Sequence, residues 1–404
     1  MSRIRPIPAR LLILGLGAAL AGAPALAGAA TAPVADGAAQ VHITLTGENG
    51  GACMLDYDTA RAGPVTFTVS NKNATGLTEV EIQSDNRILG EKENLAPGLP
   101  PVSLTLTLGG GAYQIYCPGA NREMLGFTVT GQAASAATGD AAQLLNEGTQ
   151  QYAQYVVGVA DAMVQAVSLL KSDIDAGDLA KARIQYQLAR PFYERIESDV
   201  DGFVLPGHQI TDNAGSLDYL IDMRASSLDP KVGWHGFHAI ERDLFLNGAI
   251  TGKTKAQAAE LLANVQRLAK LTRTLSYKPE DLANGAADLL EEVQSTKISG
   301  EEEAYSHIDL VDFAGNVEGA EQAFAFLKPG LEKIDPALTA RVQAEFDKVM
   351  ALLDTYRDRE QPGGYRLYTA ALRQSDAAKL SRAIQALQEP LARVAQKVAT
   401  VDQP

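Results

Sequence analysis

Short runs of alternating apolar and polar residues fill the chain from about residue 40 to residue 131. Six runs show the alternation most clearly, with Gly, Pro or Asn between them: VHITLTG, GPVTFTVSN, LTEVEIQ, VSLTLTLGG, AYQIYC and LGFTVTG. A period of two with many β-branched residues is typical of strands that bury one face. We therefore predict a small antiparallel β-sandwich over residues 38–131.

The apolar spacing changes after residue 140. Leu145, Val156 and Met163 recur at helical intervals, and DAGDLAKARIQYQLARPFYERIE restarts the pattern after an Asp/Gly break. Further helices are predicted at about 255–275, 280–296, 317–328, 336–357 and 376–399. The segment 132–140, QAASAATGD, lacks such a pattern and is predicted to be a linker. The whole is then a multidomain β + α chain with an all-α helical bundle at residues 141–404.

The N-terminal residues have the three regions of an export signal. Arg3, Arg5 and Arg10 precede an apolar run that begins at Leu11, and Ala-Leu-Ala at 25–27 fits a small-residue cleavage site. We predict a signal peptide at residues 1–27 and no stable membrane insertion of the mature chain. A retained anchor is the alternative, but the apolar run is rich in Ala and Gly and barely reaches spanning length.

The charge balance favours cationic partners. The formal charge is −14, and loss of residues 1–27, with three arginines and no acids, lowers it to −17. Such a protein is repelled by nucleic acids and anionic membranes, and the sequence contains no basic stripe with interleaved aromatics. The mature chain keeps Cys53 and Cys117, which in an exported protein form a disulfide by default.

The segment KVGWHGFHAIERDLF, residues 231–245, holds the single tryptophan and two of the five histidines. On a helix, His238 and Glu241 stand three residues apart, so both side chains share one face and can reach one cation. His235 lies nearer the helix start, where we expect a solvated neighbour of the cap, and we assign Trp234 to packing.

Acidic residues recur around this segment. YERIESDVDGF places Glu194 and Glu197 on one helical face, and SLDYLIDMR does the same for Asp218 and Asp222. The run GEEEAYSHIDLVDF adds further acids: Glu301, Glu302, Glu303, Asp309 and Asp312. A charge run of this kind usually forms a solvated face, although its apolar neighbours suggest that some members point inward. Carboxylates with one imidazole suit iron, manganese or zinc and suit copper(I) poorly.

At this point the sequence resembles a known family. GFHAIE at 236–241 matches the Gly-x-His-x-x-Glu signature of the imelysin-like peptidase family. YERIES, LDYLIDMR, GFHAIERDLF and EPLARVA follow the EfeO family of periplasmic iron-uptake proteins in order, and GEKENLAPG and YCPGA resemble its cupredoxin-like domain. The resemblance runs from about residue 40 to the end. It implies a cupredoxin-like β-sandwich followed by an imelysin-like bundle, and a location in the periplasm.

The resemblance also implies site residues. His238 and Glu241 would be metal ligands, Glu197 and Asp218 would accompany them, and Asp222 and Glu302 would serve as structural ion-pair partners. For the β domain it implies a second site for copper or iron that is built from Cys53, Cys117 and Glu81. A Cys53–Cys117 disulfide is the competing interpretation, and both stay open. A blue-copper site is disfavoured, because the loop CPGANREM after the second cysteine contains no histidine.

Two classes of function compete for this chain. The resemblance implies an iron-binding component, not an enzyme, that takes up ferrous or ferric ion and passes it to an inner-membrane iron permease, with a haem peroxidase as a further partner. The alternative is a metallopeptidase, as the imelysin name suggests. Zinc peptidases need three protein ligands and a general base, typically in His-Glu-x-x-His, whereas Arg242 follows Glu241 here. Binding of an acidic polysaccharide is a further alternative, which the net charge disfavours.

Overall fold

A computed structural model describes residues 30–132, 138–200 and 202–401. A β domain forms the N-terminal part, and a helical domain forms the rest, as predicted. The predicted signal peptide at 1–27 and residues 133–137 of the predicted linker lie outside the described residues, so both stay predictions.

The strands of the β domain form two sheets. In the first sheet the strand order is β1-β2-β5-β8, with β3 also paired to β2, and in the second it is β4-β10-β9-β6-β7. The strands are β1 Val34–Ala35, β2 Ala38–Thr46, β3 Ala52–Leu55, β4 Thr59–Arg61, β5 Gly63–Asn71, β6 Val80–Ser84, β7 Arg87–Lys92, β8 Val102–Leu108, β9 Gly111–Tyr116 and β10 Met124–Thr130. The six predicted runs correspond to β2, β5, β6, β8, β9 and β10. Apolar side chains from both sheets meet in the core, where the rings of Phe67 and Phe127 lie 5.3 Å apart.

The prediction of a purely antiparallel sandwich is wrong in two places. Strands β2 and β5 pair in parallel, and so do β4 and β10. Parallel neighbours need a crossover connection, which a hairpin cannot supply. Here β3 follows β2 in the first sheet, β4 then pairs with β10 in the second sheet, and the chain returns to the first sheet as β5. The alternation of side chains does not reveal such a crossover, because it is the same in both kinds of pairing.

The helical domain is a bundle around one apolar core. Its helices are α1 Asp140–Ala176, α2 Leu179–Glu194, α3 Leu217–Asp222, α4 Gly236–Glu241, α5 Gly252–Leu271, α6 Pro279–Glu292, α7 Asp309–Ile334, α8 Pro336–Asp354, α9 Ala370–Leu391 and α10 Val394–Ala399. Helix α1 packs against α2, α5 and α7. In the described part of the chain it is the one helix long and apolar enough to cross a membrane, and core helices of soluble proteins share that property.

Two predicted helix boundaries differ from the structure. Helix α7 begins at Asp309, eight residues before the predicted start. The apolar pattern missed its first turns because they bury the polar side chains of Asp309, Asp312 and Asn316. The predicted helix at 376–399 begins earlier, where the Thr369 side chain caps α9, and it is interrupted between α9 and α10 just after Pro390.

Polar contacts join the two domains. Lys92 at the end of β7 is buried, and its Nζ lies 2.5 Å from Asp288 Oδ1 and 2.9 Å from Glu291 Oε1, both on α6. The Asn284 side chain of α6 donates a hydrogen bond of 2.8 Å to the Thr105 carbonyl of β8. Helix α6 therefore faces the β domain on one side and the bundle on the other.

Candidate metal centre

The glycine of GFHAIE brings α4 against the end of α3. Gly236 has a positive φ of 67°, and a Cβ at this position would lie 2.0 Å from the Ile221 carbonyl oxygen. Only glycine adopts this φ easily and leaves room for that approach. As a result, His238 lies beside Asp222, the last residue of α3.

His238 lies on the face that it was predicted to share with Glu241. Its Nδ1 is 3.2 Å from Glu241 Oε2. On the opposite side of the ring, Nε2 lies 3.3 Å from Glu302 Oε1 and 3.5 Å from Asp222 Oδ1. Nε2 makes no hydrogen bond, although His238 is only 2% exposed. Glu303 is the fourth carboxylate near the ring, with its Oε1 4.0 Å from Nδ1. We call His238, Asp222, Glu241, Glu302 and Glu303 the His238 cluster.

Two of these carboxylates come from the acidic run that precedes α7. Glu302 and Glu303 are fully buried, and Asp309 and Asp312 are buried at the start of the helix. Glu241 Oε1 accepts hydrogen bonds of 2.7 Å from two backbone N–H groups of this run. The run is therefore folded inward rather than solvated.

Three basic side chains lie among the acids. The guanidinium of Arg190, which is fully buried, contacts five carboxylates: Glu194, Asp222, Glu302, Glu303 and Asp312. Lys297 Nζ lies 3.2 to 3.6 Å from four: Glu194, Glu197, Glu292 and Glu302. Arg224 pairs with Glu292 at 2.8 Å and with Glu302 at 2.9 Å.

These cations do not balance the buried acids. Burial raises the pKa of Asp222 to about 7 against the pull of Arg190, and burial together with Glu241 raises that of Glu303 to about 8. Within the His238 cluster, Glu302 differs from these two: although burial opposes its ionisation, Lys297 and Arg224 hold its pKa well below the usual range. Buried carboxyls with raised pKa values must hold protons or gain a cation. Asp222 Oδ2 and Asp312 Oδ1 are buried oxygens without a hydrogen-bond partner.

Comparison with known proteins assigns the chain to a family. The family profile of imelysin matches residues 148–394. The iron uptake system component EfeO of Escherichia coli (strain K12) and that of Shigella flexneri are each 35% identical to the chain over 357 residues, which cover 88% of this chain and 90% of theirs. The chain belongs to the imelysin family. The resemblance to EfeO proteins that the motifs indicated is thereby confirmed. The residues matched by the imelysin profile, 148–394, lie in the helical domain, hereafter the imelysin domain.

The other residues predicted to accompany the pair lie elsewhere in the imelysin domain. Glu197 contacts Lys297, and Asp218 accepts a hydrogen bond from the Tyr193 hydroxyl. Both line a cavity of about 60 Å³ at the boundary with the β domain, to which Glu93 also contributes. The structure instead places Asp222 and Glu302, which we expected to serve as structural ion-pair partners, next to His238, and both also pair with arginine.

Sequence reasoning missed several residues of the imelysin domain. Arg190 and Lys297 carried no signal in the sequence, because a lone basic residue in a helix is normally solvated. The inward direction of Asp309, Asp312 and Asn316 could have been read from their spacing of three and four among apolar residues.

Two π-helical turns lie next to the buried charged residues of the imelysin domain. One, Arg242–Leu246, directly follows Glu241, and the other, Val293–Lys297, directly follows Glu292 and ends on the buried lysine. Turns of this kind are rare and occur frequently at functional sites.

Trp234 and His235, the other two residues singled out in the segment 231–245, lie outside the His238 cluster. His235 is the N-cap of α4, and its Nδ1 lies 3.0 Å from Glu260 Oε2. Trp234 is half-buried with the guanidinium of Arg242 over its ring at 4.2 Å. Trp234 thus has a packing position as predicted, whereas His235, predicted to be a solvated neighbour of the cap, is the N-cap residue itself and its side chain is only 21% exposed.

In the β domain, Cys53 and Cys117 form a disulfide with a Cα–Cα distance of 6.4 Å. In this form neither sulfur is a thiolate that could bind metal. Glu81 is buried opposite Glu91 on the neighbouring strand, and these two carboxylates and that of Glu79 have oxygens within 4.8 Å of one another. A metal site of Cys53, Cys117 and Glu81 in the reduced protein stays a prediction.

Proposed function

We propose that this protein is the periplasmic iron-binding component of an iron-uptake system. It binds ferrous or ferric ion at the His238 cluster and passes it to an inner-membrane permease, with a haem peroxidase as a further partner of the system. The observation that carries the proposal is His238 Nε2, a buried ring nitrogen without a hydrogen bond that faces two carboxylates. The relatives named as iron uptake system components support iron as the cargo.

The chemistry of the cluster fits such a cargo. Carboxylate oxygens and one imidazole suit iron in both common oxidation states. Because acids outnumber basic side chains, a cation relieves repulsion that the metal-free protein must relieve with protons. Binding then releases protons, and protonation favours release of the ion. A carrier needs this kind of reversible exchange.

The test is an iron titration of folded variants. His238→Ala removes the one nitrogen ligand, and we expect at least about a tenfold loss of iron affinity, in the range seen when metal sites are disturbed. His235→Ala is the matched control, since it removes a histidine of the same motif that lies outside the cluster. Melting curves show whether each variant is folded. Unchanged affinity in folded His238→Ala would refute the site.

The metallopeptidase alternative finds less support. In the described part of the chain, His238 is the one histidine of the cluster, whereas peptidase zinc sites usually use at least two. Its Nε2 and the oxygens around it are also buried, so a peptide bond cannot approach them. The same burial and the acidic charge disfavour an acidic polysaccharide as ligand. Hydrolysis of casein by the metal-loaded protein, abolished in His238→Ala, would overturn the non-enzymatic assignment.

A further inference from the structure

We propose that Glu241, the glutamate of the His-x-x-Glu motif, positions the metal site and does not bind the ion. In this arrangement the ion is bound by His238 Nε2 together with Asp222 and Glu302. The inference rests on the proposed function and divides the roles of the residues at that same site.

Both oxygens of Glu241 are already engaged in the metal-free protein. Oε1 accepts hydrogen bonds of 2.7 Å from the backbone N–H groups of Tyr305 and Ser306. Oε2 lies 3.2 Å from His238 Nδ1. Glu241 is 1% exposed, so water cannot replace it at either amide. If it turned toward an ion, two backbone donors would lose their partner, which destabilises a buried site.

The histidine ring is oriented with Nδ1 toward Glu241. Metal-bound histidines usually donate their second N–H to a carboxylate, which fixes the proton on that nitrogen and leaves the other one for the metal. Glu241 occupies this position at Nδ1. The ring therefore presents Nε2, which has no hydrogen bond, toward Glu302 Oε1 at 3.3 Å and Asp222 Oδ1 at 3.5 Å.

The carboxylates of Asp222 and Glu302 fit the role of ligands. Ligand atoms of Asp222, His238 and Glu302 lie within 4.8 Å of one another. Donors about 2.1 Å from one ion are separated by at most about 4.2 Å, so a shift of less than 1 Å closes the set. Asp222 Oδ2 has no hydrogen-bond partner, whereas Arg190 contacts Asp222 Oδ1 and Glu302 Oε1, and Arg224 contacts Glu302 Oε2.

Glu241 also links two segments that lie far apart in the sequence. Its two amide contacts join α4, which carries His238, to the acidic run that carries Glu302. One side chain thus sets the ring orientation and the distance between two ligands that lie 64 positions apart along the chain. A residue in this position acts through the groups that it holds.

The direct test is nitrogen NMR of protein with ¹⁵N-labelled histidine, titrated with Zn²⁺ as a diamagnetic probe. Spectra of His238→Ala identify the signals of this ring. We expect Zn²⁺ to shift Nε2 to a metal-bound position while Nδ1 keeps its proton. Zinc on Nδ1 would overturn the inference and leave the iron site standing. A His238 ring that does not respond while Zn²⁺ binds elsewhere would overturn the proposed site itself.

Conservative variants give an independent readout with Co²⁺, whose visible spectrum reports on its ligands. Glu241→Gln keeps an oxygen for the two amides but turns an NH₂ group toward Nδ1, which moves the ring proton to Nε2. We expect a 10- to 100-fold loss of Co²⁺ affinity, yet a wild-type spectrum at saturation. Asp222→Asn is the comparison, and should change the saturated spectrum as well. A spectrum of Glu241→Gln altered in the same way as that of Asp222→Asn would refute the positioning role.

Hydrogen exchange supplies the last check, without metal. Glu241→Ala should expose the amides of Tyr305 and Ser306 to rapid exchange, whereas Glu241→Gln should protect them as the wild type does. Equal protection in the alanine variant would show that Glu241 does not hold this segment, and would overturn the inference.

Discussion

Replacement of Arg190 by glutamine would remove the cation that five buried carboxylates share. Breaking a buried ion pair by deleting one partner typically costs about 3 to 5 kcal/mol, because a charge is left without compensation. For a domain of this size 1 kcal/mol corresponds to a shift of about 2 to 3 °C in melting temperature. We therefore expect Arg190→Gln to melt about 6 to 15 °C below the wild type at pH 7.5 without metal.

Two conditions should reduce this loss. At pH 5.5 more of the carboxyls are protonated, so the variant should lie closer to the wild type. Added Fe²⁺ or Zn²⁺ should also restore part of the stability, because an ion that binds only the folded state stabilises it. The assay is differential scanning calorimetry at both pH values, with and without metal.

Arg273→Gln is the matched control. Arg273 pairs with Asp161 at 2.8 Å, but both side chains are about half exposed, so its loss should cost less than about 1 kcal/mol. A loss in Arg190→Gln no greater than in this control would refute the charge argument. An equal loss at both pH values would refute it as well.

Three further predictions concern pH, the motif glycine and the cysteines. The raised pKa values of Asp222 and Glu303, about 7 and 8, favour the folded state at low pH, so the metal-free protein should lose stability as the pH rises from about 5 to 8; a flat calorimetric profile over this range would contradict it. Gly236→Ala combines a positive φ with a 2.0 Å approach to backbone and should cost at least about 2 kcal/mol and weaken iron binding, as chemical denaturation and iron titration would show, whereas a fully stable variant would mean that α3 and α4 can separate without cost. Thiol titration of the denatured, unreduced protein should find no free thiol, and Cys53→Ser with Cys117→Ser should lower stability by about 2 to 4 kcal/mol; two free thiols would favour the metal-ligand interpretation.

The apolar pattern predicted most of the fold, because burial of one face produces both the two-residue period of strands and the helical spacing of helices. Alternation identified the six longest strands other than β7, and helical spacing identified the long helices. The prediction failed where buried residues are polar: Asp309, Asp312 and Asn316 extend α7 by more than two turns, yet they resemble a solvated segment. The parallel strand pairs also escaped it, since side-chain alternation carries no information about which strand lies beside which.

The candidate site was predictable only in part, for a related reason. Helical spacing brings His238 and Glu241 together within one short element, so a local rule suffices for this pair. Asp222 and Glu302 reach the ring from two other elements, and Arg190 of α2 contacts both of these carboxylates. Their meeting depends on how the helices cross, which a single sequence does not reveal. Glu197 and Asp218, which the family resemblance implied as companions of the pair, lie at the domain boundary instead.

The π-helical turn Val293–Lys297 determines which way a lysine faces. A regular α-helix advances about 100° per residue, so the one extra residue of a π turn rotates everything after it by about that angle. Without it, Lys297 would point roughly a quarter-turn away from the carboxylates it now contacts. Deletion of a single residue there would rotate the following side chains about the helix axis while leaving the amino-acid composition almost unchanged. Related chains of nearly identical sequence could therefore carry differently charged centres if they differ in this one step of the helix.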